Sequence, residues 1–481
     1  MRRTPRRLMG MVIAVAALLA IIPASAQAID FSPNPTVTLA NDDAGAHSDV
    51  TINMDFAGGQ VKDLTVGLPP GMVGDPNATP LCTVDQLNAD ACPDESEVGT
   101  VTANATVTVL VVPVTVNVSG TLYNLTPQAG EPARFGIVLR PLALPDPLPP
   151  VLPNIILQSG VQLRPDFGLN TVINNIPNST SGLPTTINSQ EITLFGTAPG
   201  TGRSFMRNPT SCGTHTTNFS ATPYTGASDT ASADFVTDNC GALDFSPAFT
   251  AEVGGPGQTT NGAGTTATTA ILQDVDEAGL HDAVVTVPSD LNPNATIFFG
   301  AHCSQTEFLA SACPSNTVVG LATAASPLLS QPLIGNVVLV DPTAGAFPNL
   351  GLDLQGQLHL LLQGQTAINP NTVTFNGLPD IPIARFQLTF TNPPALLGTS
   401  RDLCVPPAPL FHADFTGYND GATSSVNASA TVDGCGPSTA NVGTKCKKHK
   451  AKKKHKKRAA EAKKKQKKKP CKKKKRKKKH R

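Results

Sequence analysis

Hydrophobic and polar positions alternate along much of this chain. Val50, Ile52, Met54 and Phe56 are separated by polar residues, Phe135, Ile137 and Leu139 follow the same rhythm, and Ala384, Phe386, Leu388 and Phe390 repeat it much later. A period of two sends successive side chains to opposite faces of a strand, so these runs predict strands with one face buried. Turn-forming clusters punctuate them, among them Leu68-Pro-Pro-Gly71 and Asn376-Gly-Leu-Pro379. The expected fold class is all-β: β-sandwich modules of the immunoglobulin-like (Ig-like) kind joined in series. The Pro-rich run 141–153 predicts an extended spacer or an edge loop.

One stretch breaks the alternation, and it occurs twice. Cys82-Thr-Val-Asp-Gln-Leu-Asn-Ala-Asp-Ala-Cys92-Pro93 is matched by Cys303-Ser-Gln-Thr-Glu-Phe-Leu-Ala-Ser-Ala-Cys313-Pro314. Thr83 with Gln86, and Ser304 with Glu307, have the spacing of a capping box, so each copy predicts one short helix. Further markers recur in the same order, roughly 210 to 220 residues apart: Asp30-Phe-Ser-Pro33 and Asp244-Phe-Ser-Pro247, Pro76-Asn-Ala-Thr79 and Pro293-Asn-Ala-Thr296, Val98-Gly99 and Val319-Gly320. Such order predicts a tandem duplication, with a first β module over 29–243 and a second over 244–440.

Composition adds two things. No Trp and only three Tyr occur, so the cores must be aliphatic with some Phe, and 43 Pro with 40 Gly favour short strands and turns over long helices. Charge is sharply segregated. Residues 441–481 hold 22 Lys and 3 Arg against one acid, Glu461, a net of +24, while residues 29–440 carry −26. Such a tail repels itself and has no apolar surface to bury, so it is expected to be disordered. Lysine is a hydrated point charge suited to anions of any shape. Lys447, Lys448, Lys452, Lys453, Lys463, Lys464, Lys472 and Lys473 are thus candidate anion-binding residues, and an anionic cell-wall polymer or lipid surface is the expected partner. Nucleic acid is the weaker choice, since the tail has no aromatic residue to stack on bases.

Residues 1–28 read as a secretory signal: a basic start, an apolar run from Leu8 to Ile22, then small residues around Ala26 and Ala28. The run is short of the roughly 20 residues needed to span a bilayer. No transmembrane span is expected in the mature chain, and the expected location is secreted or cell-surface associated. An oxidising compartment makes disulfides the default for the eight cysteines that precede the tail. Four cysteines per module allow three pairings; local pairing gives Cys82–Cys92, Cys212–Cys240, Cys303–Cys313 and Cys404–Cys435. Zinc is the rival reading, and the spacings do not suit its close pairs. Cys446 and Cys471, inside the tail, can pair with each other or with another molecule.

Catalytic motifs are not found. There is no Gly-x-Ser-x-Gly elbow and no His-Glu-x-x-His. Thr197-Ala-Pro-Gly-Thr-Gly-Arg-Ser204 departs from a phosphate loop at two defining positions and reads as a turn. His47, His215, His281, His302, His359 and His412 are scattered in sequence. Asn41-Asp42-Asp43 and Asp274-Val-Asp276-Glu277 offer oxygens to calcium but lack the EF-hand order. No cofactor and no catalytic or metal site is expected.

Leu68-Pro-Pro-Gly71, Gly130-Glu-Pro-Ala-Arg-Phe-Gly136, Asn208-Pro-Thr-Ser-Cys212 and Leu378-Pro-Asp-Ile-Pro382, together with the Cys/Lys-rich end, resemble tandem-repeat secreted proteins of high-GC Gram-positive (actinobacterial) bacteria. The resemblance spans residues 30–481 and implies export and a duplicated β architecture; it brings no catalytic residue. The expected function is a structural or adhesive envelope protein held by its tail, not an enzyme. The alternatives are a secreted hydrolase with an unrecognised site, or extracellular nucleic-acid binding through the tail.

Overall fold

Val and Thr dominate the two longest apolar–polar runs, 97–109 and 112–125, and their branched side chains pack well on a pleated surface. In the computed structural model of the protein both runs are strands, paired with each other from Glu97–Tyr123 to Val109–Val112. The structure describes residues 28–142, 152–342 and 347–435. All but the last residue of the expected leader, most of the Pro-rich run and the whole tail, including its lysines, Cys446 and Cys471, lie outside the described residues.

The fold is all-β. The main path of the first module begins with the short edge strand Ile29–Phe31 and continues through ten longer strands: β1 (Val50–Gly58), β2 (Val61–Leu68), β3 (Glu97–Val109), β4 (Val112–Leu125), β5 (Arg134–Pro141), β6 (Ile155–Leu163), β7 (Leu169–Ile173), β8 (Leu183–Leu194), β9 (Gly213–Pro223) and β10 (Asp229–Thr237). They hydrogen-bond in the order β1-β8-β3-β4-β5-β6-β7-β2-β9-β10. Only Gly59 and Gln60 separate β1 from β2, yet seven pairings lie between those strands along the sheet. A link that short forces the sheet to fold back on itself, and the core fills the space between its faces. Val50, Ile52 and Met54 of β1, Leu64 and Val66 of β2 and Phe219 of β9 meet there.

The second module supplies β11 (Ala267–Leu272), β12 (Leu280–Thr286), β13 (Val318–Ala325), β14 (Leu333–Val340), β15 (Asn349–Gln355), β16 (His359–Ala367), β17 (Thr372–Phe375), β18 (Arg385–Phe390), β19 (Leu410–Gly417) and β20 (Thr423–Ser429). Their order is β11-β18-β13-β14-β15-β16-β17-β12-β19-β20. Each strand thus holds the place of the strand ten numbers below it. Phe249, Val337, Leu352, Phe411 and Phe415 are among its core residues.

The Val-Gly pairs have a local cause. Each lies at a shift of register, between Glu97 and Gly99 on β3 and between Val318 and Gly320 on β13. A Cβ on Gly99 would strike the Thr193 carbonyl of β8, and one on Gly320 the Thr389 carbonyl of β18. Only glycine admits so close a backbone crossing.

The short helices are α1 (Val84–Asn88), α2 (Ala295–Phe298) and α3 (Gln305–Leu309). Both capping boxes form: Thr83 Oγ1 accepts from Gln86 N, Ser304 Oγ from Glu307 N, and each Gln86 or Glu307 side chain bonds back to the cap residue. α1 and α3 lie on the outer face of the sheet. Leu87 and Phe308, both fully buried, press on Gly136 of β5 and Gly351 of β15, where a Cβ would sit 2.6 Å from Leu87 Cδ1 and 2.7 Å from Phe308 Cε2. This second layer explains why Gly136, Ile137, Val138 and Leu139 are buried in succession. The disulfides Cys82–Cys92 and Cys303–Cys313 close these loops, with Cα–Cα distances of 5.3 and 5.2 Å, and Cys212–Cys240 and Cys404–Cys435 close the wider ones.

The late alternating run needs one correction. Ala384 is exposed and precedes β18, its N–H spent on the Ala325 carbonyl. Phe386 and Leu388 are only half-buried because they border a cavity, so of that run Phe390 alone is fully in the core.

Candidate functional site

Three of the Pro- and Gly-containing phrases singled out in the sequence converge where the two modules touch. Asp380, from Leu378-Pro-Asp-Ile-Pro382, reaches out of the second module. Its carboxylate accepts from Thr210 N at 2.8 Å and Thr210 Oγ1 at 2.6 Å, within Asn208-Pro-Thr-Ser-Cys212 of the first. Gly279 N in turn donates to Thr210 Oγ1 at 2.9 Å. Gly71, which ends Leu68-Pro-Pro-Gly71 in a left-handed conformation (φ +86°), leaves room for the carboxylate: a Cβ there would stand 2.6 Å from Asp380 Oδ2. Gly279 is held bare for the same reason. Sequence reading missed this clasp because its partners lie 170 residues apart and each phrase alone signals only a turn.

The clasp is electrostatically costly. Asp380 is 5% exposed, and burial pushes its carboxyl above the usual carboxylate range, against the pull of Thr210 and of the Arg207 guanidinium. Arg207 is equally buried and burial lowers its pKa; its Nη2 donates to the Glu277 carbonyl across the seam, and its Nε has no partner. Burial also lowers His215, which stacks on Phe235. Tyr418, whose hydroxyl donates to the Leu378 carbonyl, is pushed by burial up to about 12. A desolvated charge persists only where donors and a countercharge are held for it. The Thr210 donors and Arg207 do this for Asp380.

Beside the clasp lies a cavity of about 120 Å³, walled by both modules. Phe135, Val161 and Phe205 come from the first; Leu329, Leu333 and Ile381 come from the second. Two further bonds cross the seam at its edge: Asn77 Nδ2 to the Pro327 carbonyl at 2.7 Å, and Gln357 Nε2 to the Pro132 carbonyl at 3.0 Å. Pro379 and Ile381 flank Asp380, so the clasp fixes that wall.

The other candidate residues resolve individually. The eight body cysteines are paired in disulfides, so none offers a thiolate. Thr197 and Ser204 close a tight turn braced by Thr201 Oγ1 on the Ala78 carbonyl. Asp42 and Asp43 gather with Asp238, with Asn41 Oδ1 accepting from Asp43 N. At the other acidic run Glu277 accepts from Ser246 N and Oγ, bracing a turn. His302 bonds the Phe298 carbonyl at 2.9 Å, His47 the Met206 carbonyl at 2.8 Å, and His412 Asn427 Oδ1 at 3.0 Å; His281 packs its ring edge-on to Tyr418.

One constellation was not legible in the sequence: Ser311, His359 and Asp353. Ser311 Oγ and Asp353 Oδ1 each lie 2.9 Å from His359, and both contact the same ring nitrogen, Nε2. A serine triad needs the serine on one nitrogen and the carboxylate on the other, so that the ring can accept one proton while holding its own. The first module explains the contact instead. There the residue two before the second cysteine is Asp90, and its carboxylate is bonded by Arg140 of β5 and by Asn154, just ahead of β6. Both modules thus tether the end of the disulfide loop to the same hairpin, with different side chains.

Among the described residues, no helix is long and apolar enough to cross a membrane. No family model matches the chain. No curated protein matches it. Among solved structures, a crystal structure of a protein described as membrane anchored, from Corynebacterium diphtheriae, aligns with 70% of this chain and 96% of its own, at 9% identity. The TM-score is 0.20, too low for the likeness to carry any argument about fold or role.

Proposed function

We propose that this is an exported cell-envelope or extracellular protein with a structural or adhesive role, held to anionic envelope material by its polylysine tail. The body is read as two copies of one β unit, locked together through Asp380 and stapled by four disulfides. Those disulfides favour an oxidising compartment, where they form and persist. The observation that carries the reading is charge: a tail of +24 on a body of −26, separated along the chain. A body so acidic is repelled by anionic polymers, so attachment falls to the tail. A binding rather than catalytic role is favoured by the Ser311–His359–Asp353 geometry, which fits a tether. Deletion of residues 441–481 tests the reading in cells. The account expects the shortened protein in the medium and the full chain with the envelope fraction; a shortened protein that stays with the envelope contradicts it.

A further inference from the structure

The β3–β4 hairpin of the first module ends on four exposed apolar residues in a row. Inward and outward positions alternate along β4, with Val114, Val116 and Val118 buried, and the alternation stops at Pro113. Beyond it Leu110 is 94% exposed, Val111 86% and Val112 50%, and Pro113 is exposed as well. The fold gains nothing from such a run on its surface, and patches of this kind mark sites of contact.

Turn chemistry sharpens the point. Val109 and Val112 are the last pair of the ladder, so Leu110 and Val111 form a two-residue turn, and Leu110 sits at φ +57°. Glycine, asparagine and aspartate take positive φ with least strain, and two-residue hairpins use them there. The β19–β20 hairpin follows that rule with Asp420 and Gly421, and β9–β10 with Gly226. Leucine at 110 works against the backbone, so the position is explained by its side chain.

The hairpin is also longer than its counterpart. Counted from Gly99 and Gly320, the equivalent ladder of the second module ends at Ala324 and Leu333. Its connection turns back to the seam, where the Pro327 carbonyl accepts from Asn77 Nδ2. In the first module the ladder runs six pairs further, from Asn104–Asn117 to Val109–Val112, about 20 Å at the usual rise per residue. Among the described residues, no other strand pairs with β3 past Val107 or with β4 ahead of Val118, so this end is a two-stranded ribbon. Residues 98–130 contain no Asp, Glu, Lys, Arg or His, although residues 29–440 carry −26. The ribbon can therefore leave water without desolvating a charge, and its ladder is bonded up to the turn.

We propose that this hairpin tip inserts into a lipid bilayer at head-group level, with Leu110, Val111 and Val112 among the upper acyl chains. Protein contacts centre on Tyr, Trp or Arg seated in shaped pockets. A convex aliphatic tip offers none of these, whereas acyl chains ask only for apolar surface. Anionic head groups also match the net +24 of residues 441–481. The inference rests on the envelope location proposed above and adds a second contact, separate from that of the tail.

The chain has no Trp, so Val111→Trp sets a single reporter at the tip of purified, disulfide-intact residues 29–481. On mixed vesicles of phosphatidylcholine and phosphatidylglycerol at low salt, its emission is expected to shift to the blue and to be quenched by brominated acyl chains. Leu410→Trp, at an exposed position that opens β19 in the second module, is expected to show neither change on the same vesicles. Leu110→Gly combined with Val111→Asn supplies the residues that the turn prefers, so the double variant keeps the fold. It is expected to bind the vesicles about tenfold more weakly than wild type. Salt at 1 M screens the tail and separates the two contacts: a quenched tip reporter with binding that salt does not loosen upholds the tip and contradicts the tail. No vesicle binding, an unquenched tip reporter on bound protein, equal quenching at both positions, or equal binding of wild type and double variant each overturns the proposal. So does self-association in solution that the double variant abolishes while the tip reporter stays unquenched, which would make a second copy the partner.

Discussion

At the scale of single residues, the junction turns on Asp380. Its folded pKa lies above the ordinary value of 3.8 because burial disfavours the charge. A group raised in this way contributes stability that is fully present below its unfolded pKa and is lost as pH rises through the folded one. Asp380→Asn keeps both junction bonds, with the amide oxygen accepting from Thr210 N and its nitrogen donating to Thr210 Oγ1, and removes the titration. Melting of wild type and D380N from pH 3 to pH 7 should therefore show wild type losing ground to the variant as pH rises; the opposite slope would refute the assignment. Asp380→Ala, which strands the buried Thr210 N–H, should cost about 1–3 kcal/mol at any pH in that range. The glycines beneath the helical loops behave in a similarly local way. Gly351→Ala would drive a Cβ to 2.6 Å from Val340 Cγ2 and 2.7 Å from Phe308 Cε2. Overpacking of this kind should cost roughly 1–3 kcal/mol, read by urea denaturation; an unchanged midpoint would mean that Phe308 is not pinned there.

Elements explain where the amino-acid pattern could be read and where it could not. The alternation at Val50, Ile52 and Met54 marked a strand correctly because only one face of β1 meets the core. It failed to mark the buried run Gly136 to Leu139, since α1 covers the outer face of β5 and erases the polar half of the period. Spacing made the helical loops legible: cap and carboxamide or carboxylate lie three residues apart, inside one turn. Contacts between distant elements left no such mark. Ser311, His359 and Asp353 come together only because α3 and the β15–β16 hairpin are packed, and Asp380 meets Thr210 only once both modules have folded. The tether reading of the first set predicts a small effect. Ser311→Ala should change stability by no more than about 0.5 kcal/mol, as exposed substitutions do. Covalent labelling of Ser311 by an organophosphate would contradict it.

Across the whole molecule, two shared strand orders and a buried clasp unite an acidic body, while most of the basic charge lies in residues 441–481. The segregation was plain from composition; the cavity at the seam was not, because its walls come from segments about 200 residues apart. Attachment through the lysines of residues 441–481, as proposed above, would be an interaction of screened charges. The Debye length is about 10 Å at 0.1 M salt and about 3 Å at 1 M, so salt should weaken attachment steeply. The most direct test is a binding series on washed cell walls with purified residues 29–481 against the body alone, residues 29–440, from 0.05 to 1 M NaCl. The account predicts that the full chain binds at low salt and is released toward 1 M, while the body stays in solution throughout. Equal retention of both, or retention of the full chain that salt does not loosen, would contradict it.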